Sequence, residues 1–214
     1  QEPENTLMSF QKTLHMQVDE IELDVHLSTD GELIVIHDET IDRTTNGIGL
    51  VNTLSLRQLK KCRINNHHEI PLLSEVFDLV NKNCFINIEL KSYETAEKVV
   101  ELIEDYVSEK NWKYEQFLIS SFDWNALQQV RFLNERIQIG VLTETDLDLA
   151  LAFAKFIQAK SIHPHFHMLS EENVSKIQSK GLQVFPWTVN EREDVEKIKS
   201  YKVNGIITDF PNRI

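Results

Sequence analysis

Two acidic side chains and a histidine stand in apolar, strand-like segments near the start of the chain. The stretch at residues 22–38 is ELDVHLSTDGELIVIHD, and it contains Glu22, Asp24 and His37. Side chains two positions apart on a strand project from the same face, so Glu22 and Asp24 should converge. Such carboxylates can hold a hard divalent cation, and the imidazole of His37 can exchange protons near neutral pH. The pattern therefore predicts metal-assisted acid–base chemistry.

The dipeptide Asp30-Gly31 inside this stretch is a strong signal for a β-hairpin. If these two residues form the whole loop, the numbers of paired residues sum to 61, which sets Asp24 directly opposite His37. Their Cβ atoms would then lie roughly 4.5–5.5 Å apart. A slip of one residue in the turn would break this pairing, so the geometry depends on the turn.

A third carboxylate, Glu89, stands in the strand-like segment FINIELK, with Lys91 two residues further on. Both lie near the carboxyl end of that segment, which is the end that carries the active site in α/β barrels. Two unit charges about 4 Å apart cost about 4 kcal/mol at an effective dielectric near 20, and Lys91 alone does not offset three carboxylates. An all-oxygen set without cysteine suits Ca²⁺ or Mg²⁺ better than zinc. A metal-free rim of salt bridges around Lys91 is the alternative.

Strand-like and helix-like segments alternate along the whole chain, which predicts a parallel sheet covered by helices. The expected strands are IELDV, FINIELK, FLISS, IQIGVL, SIHPH, QVFPWTV and GIITD. The first helix, at about 5–17, has no strand before it, so we expect a (β/α)8 TIM barrel whose first strand lies upstream of residue 1. An open doubly wound sheet is the alternative. LIVIHD is expected to form an antiparallel arm on IELDV.

The composition favours one domain, residues 1–214, and argues against two classes of partner. The formal net charge of −12 repels nucleic acid and anionic membrane surfaces. The cysteines, Cys62 and Cys84, provide neither a disulfide framework nor a thiolate metal cluster. No apolar run approaches the roughly 18 residues that a membrane span needs. We therefore expect a cytoplasmic protein that acts on a small molecule.

Several ordered motifs, which together extend over nearly the whole chain, resemble the glycerophosphodiester phosphodiesterase family. They are PENTLMSF, IELDVHLSTDG paired with IVIHDETIDRTTNG, INIELK, LISSFD, PWTVN and GIITDFP. The resemblance implies a TIM barrel with a small insertion at about residues 39–70. It also implies hydrolysis of deacylated phospholipids, such as glycerophosphocholine, to glycerol 3-phosphate and an alcohol.

Carried over position by position, the resemblance implies that Glu22, Asp24 and Glu89 hold the metal. It implies that His37 is one of two catalytic histidines and that Lys91 helps to bind the phosphate. The His-Arg-Gly motif that ends the first strand in the family has no counterpart here, so the second histidine is expected upstream of residue 1. We expect His37 to act as the general acid and the second histidine as the base.

Three more residues are candidates for contact with the substrate. Phe122 and Trp187 fall at strand ends and could flank the glycerol or a choline head group through cation–π contact, although core packing explains both almost as well. Glu4 matches a family position close to the active site, and it could equally serve the start of the first helix.

Other polar residues have structural explanations. His26 is expected on the exposed side of a strand, and Arg43 is expected to shape turns of the insertion. Three histidines alternate in HPHFH and are expected on one strand face without forming a metal site: His163, His165 and His167.

Two further functions are compatible with the same residues. A lysophospholipase D or lyase-type phosphodiesterase would release a cyclic phosphate and would need an apolar groove at the barrel mouth. A non-catalytic barrel that binds a phosphorylated ligand would follow if the first strand were truly absent.

Overall fold

A mostly parallel sheet forms the centre of the fold in the computed structural model, which describes residues 2–214. Its strands are β1 (Glu20–Leu27), β2 (Leu33–Val35), β3 (Phe85–Leu90), β4 (Phe117–Ser121), β5 (Gln138–Thr143), β6 (Ser161–Pro164) and β7 (Gln183–Val184). In space the order is β2-β1-β3-β4-β5-β6-β7, with β2 antiparallel to β1 and all other neighbours parallel. The parallel strands follow chain order without the reversal of a doubly wound sheet, as in a TIM barrel.

Helices precede, connect and follow these strands along the chain. They are α1 (Leu7–His15), α2 (Leu56–Leu59), α3 (Leu73–Val80), α4 (Thr95–Glu109), α5 (Trp124–Leu133), α6 (Leu147–Phe156), α7 (Glu171–Gln178) and α8 (Arg192–Ser200). Short 3₁₀ turns lie at Val51–Thr53, Tyr114–Gln116, Phe166–Met168 and Pro211–Arg213. Thr6, Asp123 and Ser170 begin α1, α5 and α7, because each side-chain oxygen accepts a hydrogen bond from a backbone amide of the first turn.

The segment GIITD, predicted to be a strand, is irregular, but residues 204–208 run parallel to the chain that follows β7. The amide of Asn204 donates to the carbonyl of Val184 at 3.0 Å, and the amide of Ile207 donates to the carbonyl of Pro186 at 2.9 Å. Pro186 has no amide hydrogen, which interrupts the ladder between these segments. Within residues 2–214, no backbone hydrogen bond joins 204–208 to β1.

The β1–β2 hairpin has a different register from the predicted one. Leu27 pairs with Leu33, so paired numbers sum to 60, and the amide of Ile36 donates to the carbonyl of Asp24. The prediction that Asp24 lies opposite His37 is therefore wrong by one residue. The physical reason is the loop: a three-residue turn ends at Gly31, whose φ of 81° is left-handed, instead of a two-residue turn.

Two clusters of buried apolar side chains stabilise these elements. The main core lies between the sheet and its helices and includes Leu23 of β1, Ile88 of β3 and Ile119 of β4. A second, smaller cluster lies under the segment that joins β2 to α3, and its members are Ile34, Ile36, Ile41, Val51, Leu59, Ile64 and Ile70. Because Ile34 and Ile36 belong to the hairpin arm, the arm and the segment after it pack as one layer that supports His37.

Candidate active site

The carboxylates predicted to bind a metal converge at the carboxyl ends of β1 and β3. Glu22 and Asp24 project from one face of β1, and Asp24 is in register with Glu89 of β3. One oxygen of each carboxylate lies within 4.8 Å of the other two. Asp24 and Glu89 are buried, and Glu22 is partly buried. Parallel pairing thus brings together side chains that are far apart in the chain.

Lys91 places its ammonium group between two of these carboxylates. Its Nζ lies 2.8 Å from Oδ1 of Asp24 and 2.6 Å from Oε1 of Glu89. Burial lowers the pKa of Lys91, but the two neighbouring carboxylates outweigh burial, so the pKa is raised overall. Lys91 is therefore charged at neutral pH, and three carboxylates share one ammonium group.

The electrostatics of this cluster favour a further cation. Burial, followed by the charges of Asp24 and Glu89, raises the pKa of Glu22 well above its ordinary value. Burial also raises the pKa of Glu89, although Lys91 opposes part of the shift. A positive charge next to these groups would relieve both effects. Closely spaced carboxylate oxygens without nitrogen or sulfur donors fit a hard divalent ion such as Ca²⁺ or Mg²⁺.

Asn5 belongs to the site although its sequence context did not predict it. Its Nδ2 donates to Oδ2 of Asp24 at 2.8 Å, and its Oδ1 accepts a hydrogen bond from the amide of Asp24 at 3.4 Å. Asn5 is buried and has a φ of 51°, a left-handed conformation that asparagine adopts more readily than most residues. The one feature of the sequence that could have indicated this role is the position of Asn5 in the motif PENT, directly before the N-cap residue Thr6. Asn5 fixes the orientation of the Asp24 carboxylate.

His37 is held at the rim by Asp38 and not by Asp24. Nδ1 of His37 lies 2.7 Å from Oδ1 of Asp38. Hydrogen bonds from Arg43, which outweigh partial burial, together with the bond from His37, hold the pKa of Asp38 well below its usual range. The ionised carboxylate can only accept hydrogen bonds, so Nδ1 of His37 carries the proton that points to Asp38. Nε2 of His37 is then the nitrogen left for other contacts.

Arg43, expected to shape turns of the insertion, instead joins two acidic side chains. It donates to Asp38 from Nε at 2.6 Å and from Nη2 at 2.8 Å. It also donates to Glu4 from Nη1 at 3.2 Å and from Nη2 at 2.5 Å. Glu4, one of the predicted substrate contacts, is therefore connected to His37 through Arg43 and Asp38.

His26 supports the backbone next to this network. The prediction that it is exposed is wrong: His26 is only 8% exposed, because the hairpin arm covers it. Burial lowers its pKa, so the ring is neutral at physiological pH. Its Nε2 lies 3.1 Å from the carbonyl oxygen of His37, which makes Nε2 the protonated nitrogen.

Phe122 and Trp187 meet on the other side of the barrel mouth. Phe122 follows β4 and Trp187 follows β7, yet their rings form an edge-to-face pair with centroids 5.4 Å apart. Nε1 of Trp187 donates to the carbonyl of His163 at 2.8 Å. This pair bridges strands that are not neighbours in the sheet, which requires the sheet to curve around the mouth.

The prediction that the histidines of HPHFH share one strand face fails at His167. Strand β6 ends at Pro164, a parallel bridge still joins His165 to Trp187, and His167 lies in the 3₁₀ turn Phe166–Met168. His163 lies fully buried inside the barrel, where Nε2 contacts Oγ of Ser161 at 2.8 Å. His165 and His167 lie beyond the strand with ring centroids 5.1 Å apart.

The fold and the site together define an α/β-barrel enzyme with an acidic cluster at the carboxyl ends of two parallel strands. The model of the glycerophosphoryl diester phosphodiesterase family matches residues 1–213. A glycerophosphodiester phosphodiesterase of Caldanaerobacter subterraneus subsp. tengcongensis is 37% identical, and the match covers 99% of this chain and 90% of the relative. One of Bacillus altitudinis is also 37% identical, with 99% and 91% covered.

Solved structures agree with this result. An Oleispira antarctica phosphodiesterase, solved in complex with the product sn-glycerol-3-phosphate, has a TM-score of 0.90 and 26% identity, with 100% of this chain and 90% of that chain covered. A glycerophosphodiester phosphodiesterase of Thermotoga maritima has a TM-score of 0.81 and 30% identity, with 97% and 89% covered. The chain belongs to the glycerophosphoryl diester phosphodiesterase family of enzymes. Between residues 2 and 214, no helix combines the length and apolarity needed to cross a bilayer.

Proposed function

We propose that this protein hydrolyses glycerophosphodiesters such as glycerophosphocholine to glycerol 3-phosphate and an alcohol. The observation that carries the proposal is the convergence of Glu22, Asp24 and Glu89, whose carboxylate oxygens lie within 4.8 Å of one another. We assign these residues to a divalent cation, Ca²⁺ or Mg²⁺. When bound, such an ion would neutralise phosphodiester charge and favour attack at phosphorus.

Lys91 has the role of a phosphate contact in this proposal. Its ammonium group carries three N–H donors, and the carboxylates of Asp24 and Glu89 occupy two directions. The third donor suits a non-bridging phosphate oxygen. Because both carboxylates restrain Lys91, little side-chain entropy is lost when the substrate binds.

His37 is the general acid. An oxygen nucleophile forms a new bond to phosphorus while the bond from phosphorus to the head-group oxygen breaks. Nε2 of His37 then gives its proton to that departing oxygen, and Asp38 stabilises the imidazolium through Nδ1. The proposed base is the second catalytic histidine that the family resemblance implies.

The remaining substrate contacts lie around the same mouth. The Phe122–Trp187 pair offers aromatic surface to the glycerol or to a quaternary ammonium head group. Glu4 stays in the proposed substrate-binding set because it lies on the rim, joined to the arginine that also holds Asp38.

The decisive experiment is turnover of glycerophosphocholine with and without chelator, repeated with Glu89→Gln. We expect chelator to abolish turnover, Ca²⁺ or Mg²⁺ to restore it, and the variant to lose at least about 100-fold in kcat, as when one electrostatic partner of a transition state is removed. Unchanged turnover in Glu89→Gln would remove the site assignment. Phosphorus NMR identifies the product, and a cyclic phosphate as the final product would replace the hydrolase with the lyase.

A further inference from the structure

We propose that Arg43 is a positioning residue for His37 and acts through the carboxylate of Asp38, with Glu4 as the anchor of Arg43. The inference rests on the proposed function, in which His37 donates a proton to the leaving alcohol. It adds a role for the segment that follows the hairpin arm, because Arg43 comes from that segment.

The contacts of Asp38 explain how Arg43 can act on a ring that it does not touch. Nε and Nη2 of Arg43 meet the two carboxylate oxygens at 2.6 Å and 2.8 Å, which is a bidentate arrangement. Oδ1 of Asp38 also meets Nδ1 of His37 at 2.7 Å. A carboxylate that accepts hydrogen bonds from Arg43 at both oxygens cannot rotate freely. The direction of the hydrogen bond from Nδ1 is therefore fixed, and this restrains the orientation of the imidazole ring.

Glu4 restrains the guanidinium group from the opposite side. It accepts from Nη1 and Nη2 at 3.2 Å and 2.5 Å, so Arg43 lies between two carboxylates that belong to different segments. The side chains of Glu4 and Arg43 are 47% and 51% exposed, and a single exposed ion pair of this kind adds little stability. The network is therefore suited to orientation and contributes little to the stability of the fold.

The ionisation of Asp38 determines which nitrogen of His37 carries the proton. Arg43 supplies the largest contribution that keeps the pKa of Asp38 low. With Asp38 ionised, the proton on Nδ1 of His37 is retained and Nε2 is the nitrogen that can exchange a proton with a substrate. Removal of Arg43 would free the carboxylate to rotate and would let His37 adopt other ring orientations.

The first test is kinetic. Arg43→Ala should lower kcat about 10- to 100-fold, the range found when groups that orient a functional histidine are removed, while KM changes less than about twofold. Arg57→Ala, an exposed arginine of the same segment, should leave both constants unchanged. Added guanidinium ion should restore part of the kcat of Arg43→Ala, and a purely structural role for Arg43 predicts no such recovery.

The second test asks whether Arg43 works through Asp38. In the Asp38→Asn background, Arg43→Ala should cost less than about twofold, because the carboxylate that it positions is gone. Full additivity of the two substitutions would overturn the proposal.

The third test does not depend on activity or on a variant that folds. In ¹⁵N NMR spectra of the wild-type protein, neutral His37 should be the Nδ1–H tautomer with a hydrogen-bonded Nδ1 proton. An Nε2–H tautomer would overturn the proposal even if turnover is normal. If the wild type does not turn over glycerophosphodiesters, the proposed function fails, and the NMR result still tests the His37–Asp38 hydrogen bond on which the inference about Arg43 depends.

Discussion

The two sides of the barrel mouth differ in how their polar groups are satisfied. On the β1–β3 side, three carboxylates share one ammonium group, and burial raises the pKa of both Glu22 and Glu89. On the β4–β7 side, the aromatic pair Phe122 and Trp187 packs edge to face, and the indole N–H already has a carbonyl partner. A cation bound at the first side would relieve the repulsion between its carboxylates, whereas the polar groups of the aromatic pair already have partners.

Because of this difference, substitutions on the two sides of the mouth should affect the stability of the fold and the activity in different ways. The carboxylates on the charged side should be costly for the metal-free fold and essential for activity, because like charges held close together in a partly buried site repel. Groups on the aromatic side should affect substrate affinity and leave the chemical step nearly intact. Substitutions on each side of the mouth test this contrast.

Glu22→Gln should have opposite effects on activity and on metal-free stability. We expect kcat to fall at least about 100-fold. Because the pKa of Glu22 is raised in the folded protein, its ionised form opposes folding above the unfolded pKa, and a neutral amide removes that penalty. In chelator, the free energy of unfolding from urea titration should therefore be higher for Glu22→Gln than for the wild type.

The matched control is Glu172→Gln, an exposed carboxylate on α7, which should change neither quantity. A Glu22→Gln variant that is less stable than wild type in chelator would show that like-charge repulsion does not dominate this side of the mouth.

Lys91→Met should destabilise the metal-free protein by about 3 kcal/mol, because it leaves two buried carboxylates without their ammonium partner. Urea denaturation in chelator measures this loss. The double variant Lys91→Met with Glu89→Gln should recover part of it. If the two substitutions add, the ion pairs at Lys91 are not coupled in the way that their distances indicate.

Trp187→Ala should raise KM for glycerophosphocholine about two- to tenfold with little change in kcat, consistent with a cation–π contribution of about 0.5–2 kcal/mol. A glycerophosphodiester with an uncharged head group should show a smaller change. Phe132→Ala, which truncates an exposed aromatic side chain on α5, is the control. Equal effects on both substrates would assign the aromatic pair to packing.

The last prediction concerns His163, which lies beneath the aromatic side. Burial lowers its pKa to about 3, from an ordinary value near 6.5. Between these values the unfolded chain takes up a proton that the folded protein does not, so stability falls as pH decreases, by up to about 1.4 kcal/mol per pH unit. His163→Phe should flatten this dependence between pH 6 and pH 4, and His15→Gln, an exposed substitution, should not. Identical slopes in His163→Phe and wild type would contradict the assignment.

The sequence by itself determined the local features of this protein. Two-residue alternation placed Glu22 and Asp24 on one strand face, and the position of Glu89 near a strand end put it at the same level of the sheet. The regular alternation of strands and helices determined the barrel class, and the ordered motifs identified the family, which the comparisons confirm. These features depend on backbone periodicity or on short motifs, which act within a few residues.

Only the tertiary structure decided which side chains meet. The hairpin turn contains one residue more than the Asp30-Gly31 pattern predicts. The observed partner of His37 is therefore Asp38 and not the predicted Asp24. The link from Glu4 to Arg43 joins two segments far apart in the chain, and no local pattern records it.

Local patterns also do not record the hydrogen bond from Asn5 to Asp24, or the contact between the rings of Phe122 and Trp187 across the mouth. Such contacts depend on turn geometry, on strand register and on the curvature of the whole sheet. These properties result from packing over the full chain, so no single stretch of residues specifies them.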